Sequence, residues 1–110
     1  MTHDDLMNKH NRILHSCGYL DVSEGWYSLI DSLCADLQAM SDVSDRQVKA
    51  LQVKEKFGGL RFYVADATDE MLDRIAKAED ASFTICETCG EPGERINKGG
   101  WLTTQCEKHK

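Results

Sequence analysis

Apolar residues recur at two different periods along this chain, and the change of period divides it. Leu6, His10, Ile13, Leu14 and Cys17 follow one another at spacings of three and four, which predicts a helix over residues 4–17. Asp4 and Asp5 suit the positive N-terminal end of its dipole, and Gly18 is a natural left-handed stop. Trp26, Leu29, Ile30, Leu33, Leu37 and Met40, with Cys34 beside them, predict a stronger helix over 24–40 with Ser23 as N-cap. Tyr19, Leu20 and Val22 in the connection are expected to cover the gap between the two helices. From Val48 to Val64 the period falls to two. Leu51, Val53 and Phe57 alternate with Gln52, Lys54 and Lys56; after Gly58-Gly59, Leu60, Phe62 and Val64 alternate with Arg61 and Tyr63. Alternation on both sides of a Gly-Gly pair predicts a β-hairpin turning at the glycines. Its inner face packs on the helices; its outer face shows Lys54, Lys56, Arg61 and Tyr63.

A third helix is expected over 69–81, capped by Thr68, with Met71, Leu72, Ile75, Ala78 and Ser82 on its buried side. It runs almost directly into Cys86. No Pro/Ser-rich linker intervenes, so the end of the chain is expected to dock on the helices. The predicted class is α+β in one compact domain over 1–110. Within it, 1–85 form a helix-hairpin-helix core and 86–110 a terminal subdomain.

The terminal subdomain carries the clearest chemistry. Cys86-x2-Cys89 is followed, sixteen residues later, by Cys106-x2-His109. Two ligands separated by two residues can hold one ion from a single tight turn, and two such turns complete the tetrahedron that zinc prefers. Trp101–Gln105 reads as a strand leading into the second pair, and Lys98-Gly99-Gly100 as the turn before it. The unit is expected to be a zinc ribbon with Cys86, Cys89, Cys106 and His109 as ligands and zinc as cofactor. Four protein ligands leave no open position for water or substrate, so the expected role of the metal is structural. The spacing differs from that of the DNA-reading Cys2His2 finger.

Composition narrows the remaining choices. The chain has 110 residues and a net charge of -6, which argues against bulk-charge binding of nucleic acid. It has no apolar run long enough for a membrane helix, and its acidic opening does not read as a signal peptide, so a cytoplasmic location is expected. Five cysteines without a secretion signal do not suggest a disulfide framework. Cys17 and Cys34 lie on or beside apolar stripes and are expected to be buried free thiols. Charge is uneven: residues 46–64 hold five bases and one acid, whereas residues 1–45 hold eight acids and two bases. The basic island coincides with the hairpin. Lys54, Lys56 and Arg61 offer charge and Tyr63 a stacking surface, a partner-binding strip; the same strip is equally a solvated sheet face. No nucleophile has a recognisable base beside it, and Gly58-Gly59 lacks the context of a phosphate loop, so the chain does not read as an enzyme.

Gly25-Trp26, the segment Gln52–Tyr63 and the pattern Cys86-x2-Cys89-Gly90, Trp101, Cys106-x2-His109 resemble a group of small phage- and prophage-encoded proteins. The similarity runs from about residue 25 to the end. It implies a bacterial or phage intracellular origin and supplies no activity. The expectation is a non-catalytic accessory protein that binds a host protein, such as a defence or nucleic-acid-processing factor. Acidic small proteins can fill basic clefts by charge complementarity. The alternative is a nucleic-acid-binding module that uses the basic hairpin and the ribbon.

Overall fold

A computed structural model describes residues Met1–Lys110. The expected α+β class is found, with four α-helices and two small sheets. The first predicted helix is divided: α1 spans His3–Lys9, α2 spans Asn11–Leu14, and a 3-10 turn covers His15–Cys17. The break falls at His10, whose ring nitrogen Nε2 lies 2.7 Å from Asp31 Oδ1. The apolar face survives the break: Leu6, Ile13 and Leu14 are fully buried. The connection does more than cover a gap. Leu20–Asp21 form a short strand, β1, and Tyr19 is exposed.

A 3-10 turn over Glu24–Trp26 leads into α3, Tyr27–Ser44. Ser23 precedes that turn without capping it through its side chain. Trp26, Ile30, Leu33, Cys34 and Leu37 form the buried stripe. The helix outruns its expected end at residue 40 because Ser41 is buried there. Its hydroxyl accepts a hydrogen bond from the Val48 amide at 3.2 Å, so the last turn is held by the chain that follows it. Asp31 is not free in water. It accepts from Lys9 and pairs with His10.

The hairpin consists of β2, Lys49–Lys56, and β3, Gly59–Ala65; β1 runs parallel to β2 on the other side, giving the order β1-β2-β3. Two details depart from the sequence reading. Ala50 faces Val64 and Gln52 faces Tyr63, so Leu51 is left over as a bulge and is exposed, while Ala50 and Val53 are buried. The turn also lies one residue early. Lys56 pairs with Gly59, and the two loop residues are Phe57 at φ 55° and Gly58 at φ 81°, the signs of a type I′ turn. Phe57 is therefore exposed at the tip and not packed inside.

Thr68 caps α4, Asp69–Ser82, accepting from the Met71 amide at 3.2 Å. Met71, Ile75, Ala78 and Ser82 are buried, whereas Leu72 faces out. This helix also closes the free edge of β3: Ser82 Oγ accepts from the Leu60 amide and Glu79 Oε2 from the Phe62 amide, both at 2.9 Å. An edge whose donors are used cannot recruit another strand. Helices thus cover one face of the sheet over a core of 17 buried residues; along the other, bare face Lys49, Gln52, Lys56 and Tyr63 are exposed and Lys54 and Arg61 half-buried.

Cys34 is fully buried, and burial pushes its thiol up to about 12, as expected of an inert packing residue. Cys34→Ala should cost about 1–2 kcal/mol in chemical denaturation, and Cys17→Ala less because it is half-buried. Neither should change metal content; loss of metal in either would contradict the ligand set. Asp31 is held below the usual carboxylate range, first by His10 and then by Lys9. Its contribution is therefore present above the unfolded value of ~3.9 and is lost as pH falls through the lower folded value. Asp31→Asn should cost about 1–3 kcal/mol at neutral pH. Its deficit against the wild type should shrink in acid; a deficit independent of pH would refute the pairing.

Candidate metal centre

The chain leaves α4 through Phe83 and enters a turn at Cys86–Cys89, closed by the Gly90 amide donating to Cys86 O at 2.8 Å. An antiparallel pair follows, β4 at Glu94–Lys98 and β5 at Trp101–Gln105. A second turn at Cys106–His109 is closed by the His109 amide donating to Cys106 O at 3.1 Å. The ribbon's hairpin thus brings the two Cys/His turns to one point, as the paired spacing predicts.

The four ligand atoms lie within 4.8 Å of one another. Cys89 Sγ is 3.7 Å from Cys106 Sγ; His109 Nδ1 is 3.2 Å from Cys106 Sγ and 3.7 Å from Cys86 Sγ. Two sulfurs bound at ~2.3 Å to one tetrahedral ion lie roughly 3.8 Å apart, so the cluster already has the dimensions of a four-ligand site. Burial opposes ionisation of Cys86, but the backbone amides around it outweigh that and bring its thiol down to about 6. Cys89 moves the other way. The Glu91 amide favours its thiolate, yet burial and the neighbouring thiols of Cys106 and Cys86 together push it up. Thiolates this close repel one another, and a bound cation removes that cost. The Cys3His donor set is compatible with a metal ion and fits the zinc-ribbon expectation.

What the sequence did not disclose is how firmly this cluster is joined to the core. Gly25 sits against the first metal turn, and its amide donates to Glu87 O at 3.0 Å. A Cβ at residue 25 would collide with the backbone of Cys86 and Glu87, lying 2.5 Å from the Glu87 oxygen. Beside it, the buried Trp26 donates its indole N–H to Ile85 O at 2.9 Å. A second joint links the ribbon to the hairpin. Thr104, fully buried, donates its hydroxyl to Gly58 O at 2.6 Å, and a Cβ on Gly58 would lie 3.2 Å from the Thr103 backbone. The Gly-Trp pair is the visible trace of the first joint in the sequence. The second joint has none, because a threonine in a strand has no distinctive spacing.

The expected partner-binding residues lie apart from the metal. Lys54 and Arg61 are cross-strand neighbours, as are Gln52 and Tyr63, and Lys56 flanks the turn. All project from the bare face of the sheet. Two exposed rings not assigned to that strip from the sequence join it: Phe57 at the hairpin tip and Trp101 at the start of β5. Comparison of the chain with protein-family models, with curated proteins and with solved structures finds no match.

The metal prediction is one equivalent per chain by native mass spectrometry. Gly25→Ala should destabilise the fold by more than about 2 kcal/mol, since the clash is with backbone that has no free rotamer. A Gly25→Ala protein as stable as the wild type would mean that the metal turn is not docked as described.

Proposed function

We propose that this chain is a zinc-stapled, non-catalytic binding module whose contact surface is the bare face of its sheet. Its setting, on the resemblance carried by Gly25-Trp26, Gln52–Tyr63 and the Cys/His pattern, is a phage-infected or prophage-carrying bacterial cell. Zinc is the favoured ion because three thiolates and one imidazole suit it, and four filled positions give it a structural role. No helix is long and apolar enough to cross a membrane.

One observation carries the choice of surface. Of the eight exposed large apolar side chains, five (Tyr19, Leu51, Phe57, Tyr63 and Trp101) lie on or at the rim of this face. Such clustering marks a contact site, whereas scattered exposed residues do not. Trp, Tyr and Arg are also the side chains most enriched at binding hot spots. The expected host-protein partner, met through acidic helices, has weaker support. Asp31, Asp36 and Asp42 on α3 are already paired with the chain's own Lys9, Arg74 and Arg12.

The test is affinity purification from a bacterial host, comparing the wild type with a Lys54→Glu, Lys56→Glu, Arg61→Glu variant. The variant should keep its metal and fold and lose the retained partner. Equal retention by both proteins would show that the working surface lies elsewhere.

A further inference from the structure

The bare face is more specific than a generic contact surface. By strand alternation Lys49, Lys54 and Lys56 of β2 and Arg61 of β3 project from it, and Asp21 of β1 is the one acid among them. Four cations against Asp21 on the face and Glu55 on the cleft beside it leave +2, in a chain whose total is -6. None of the four cations forms an ion pair within the molecule. Their charge is therefore free for an anionic occupant.

The aromatic groups flank this charge. A cleft of about 430 Å³ lies between the hairpin and the ribbon, lined by Lys54, Lys56, Phe57 and Trp101 among others. Trp101 is 68% exposed and Phe57 58%. Glu55, the one carboxylate on the lining, accepts a hydrogen bond from the Gly58 amide at 2.8 Å and is engaged with the turn. Phe57 is a non-glycine residue at positive φ, a strained conformation that turns its ring outward beneath the Lys56 ammonium, 5.5 Å from the ring centre. A second cleft, of about 350 Å³, lies further along β2 and is lined by Tyr19, Leu51, Gln52 and Tyr63 among others. The Lys54–Arg61 pair falls between the rings of one cleft and those of the other.

We infer that this face binds single-stranded nucleic acid, with Lys54, Lys56 and Arg61 on the phosphates and unstacked bases against Trp101, Phe57 and Tyr63. The inference rests on the reading of the bare face as the contact surface and gives that surface its ligand. Rings interleaved with unpaired cations are the pattern that holds a backbone and stacks bases at once. A protein interface is, by contrast, depleted in lysine. A duplex keeps its base faces stacked inside and leaves the rings nothing to stack on, so the single strand is the form selected.

The test is fluorescence anisotropy at low salt with labelled single-stranded DNA, single-stranded RNA and duplex DNA, the two single strands separating DNA from RNA as the source. A single strand should bind more tightly than the duplex. The affinity should fall with salt at a slope of roughly −2 to −3, three or four phosphates at about −0.7 each, and Lys54→Ala should reduce the slope by about 0.7. Trp101→Ala should weaken binding about tenfold and Trp101→Phe should restore most of it. Trp26 is buried, so quenching of intrinsic fluorescence by the strand should disappear with Trp101→Ala. Absence of binding, equal affinity for the duplex, or indifference to Trp101→Ala would overturn the inference. A polyglutamate peptide in the same assay separates the two levels of the account. If it binds and the nucleic acids do not, and the Lys54→Glu, Lys56→Glu, Arg61→Glu variant loses it, the nucleic-acid inference falls and the contact surface stands. If neither ligand binds and that variant also retains the partner of the wild type, both fall.

Discussion

The contact between the first metal turn and Gly25 is the constraint on which the rest of this structure depends. A terminal unit of about twenty-five residues cannot bury enough apolar surface to order itself, and a metal bound at its Cys3His cluster would supply folding energy. Yet the unit does not hang free. Backbone meets backbone at Gly25 and Glu87, Trp26 reaches across to Ile85, and Thr104 reaches Gly58. An ion held by Cys86, Cys89, Cys106 and His109 would fix the turn; the turn sits on the start of α3, and β5 holds the hairpin tip. The orientation of Trp101 relative to Phe57, and hence the cleft between them, follows from these joints.

The division of labour between the two faces of the sheet follows from the same arrangement. The helices cover one side, and α4 uses Ser82 and Glu79 to occupy the donors of the β3 edge. Pairing with another strand at that edge is thereby excluded. What remains available is a flat surface of side chains. On a chain of overall negative charge, the surviving positive strip is small and local, and it acts over about one Debye length at physiological salt. Rings beside it would add contact energy that salt does not screen, so under the proposed reading the rings and not the charge set the preference among anions.

Much of this was legible in the sequence, for identifiable reasons. The paired x2 spacings and the intervening strand foretold that Cys86, Cys89, Cys106 and His109 would come together, because two such turns joined by a hairpin meet at one point. The stripes of α3 and α4 were readable because helical periodicity over more than three turns is hard to produce by chance. The hairpin was readable as an element but not in its register. A one-residue bulge at Leu51 and a turn centred on Phe57-Gly58 each change which side chains face out, and neither alters the local apolar pattern. The place of His10 on the apolar stripe was readable, whereas its partner Asp31 was not, since the pairing depends on where α1 breaks. The exposed rings of Phe57 and Trp101 were the largest omission. Apolar residues in strands are read as buried, and only the three-dimensional arrangement shows that nothing covers them.

The central claim is that the metal, through the Gly25 and Gly58 joints, holds the ribbon and the hairpin tip in one arrangement. Hydrogen exchange followed by mass spectrometry, with and without a strong chelator, tests it most directly. The account predicts that metal removal deprotects residues 86–110 together with the Phe57–Gly58 turn, while the buried stripe from Ile30 to Leu37 keeps its protection. Unchanged protection of the ribbon and the turn after the metal is gone would contradict it.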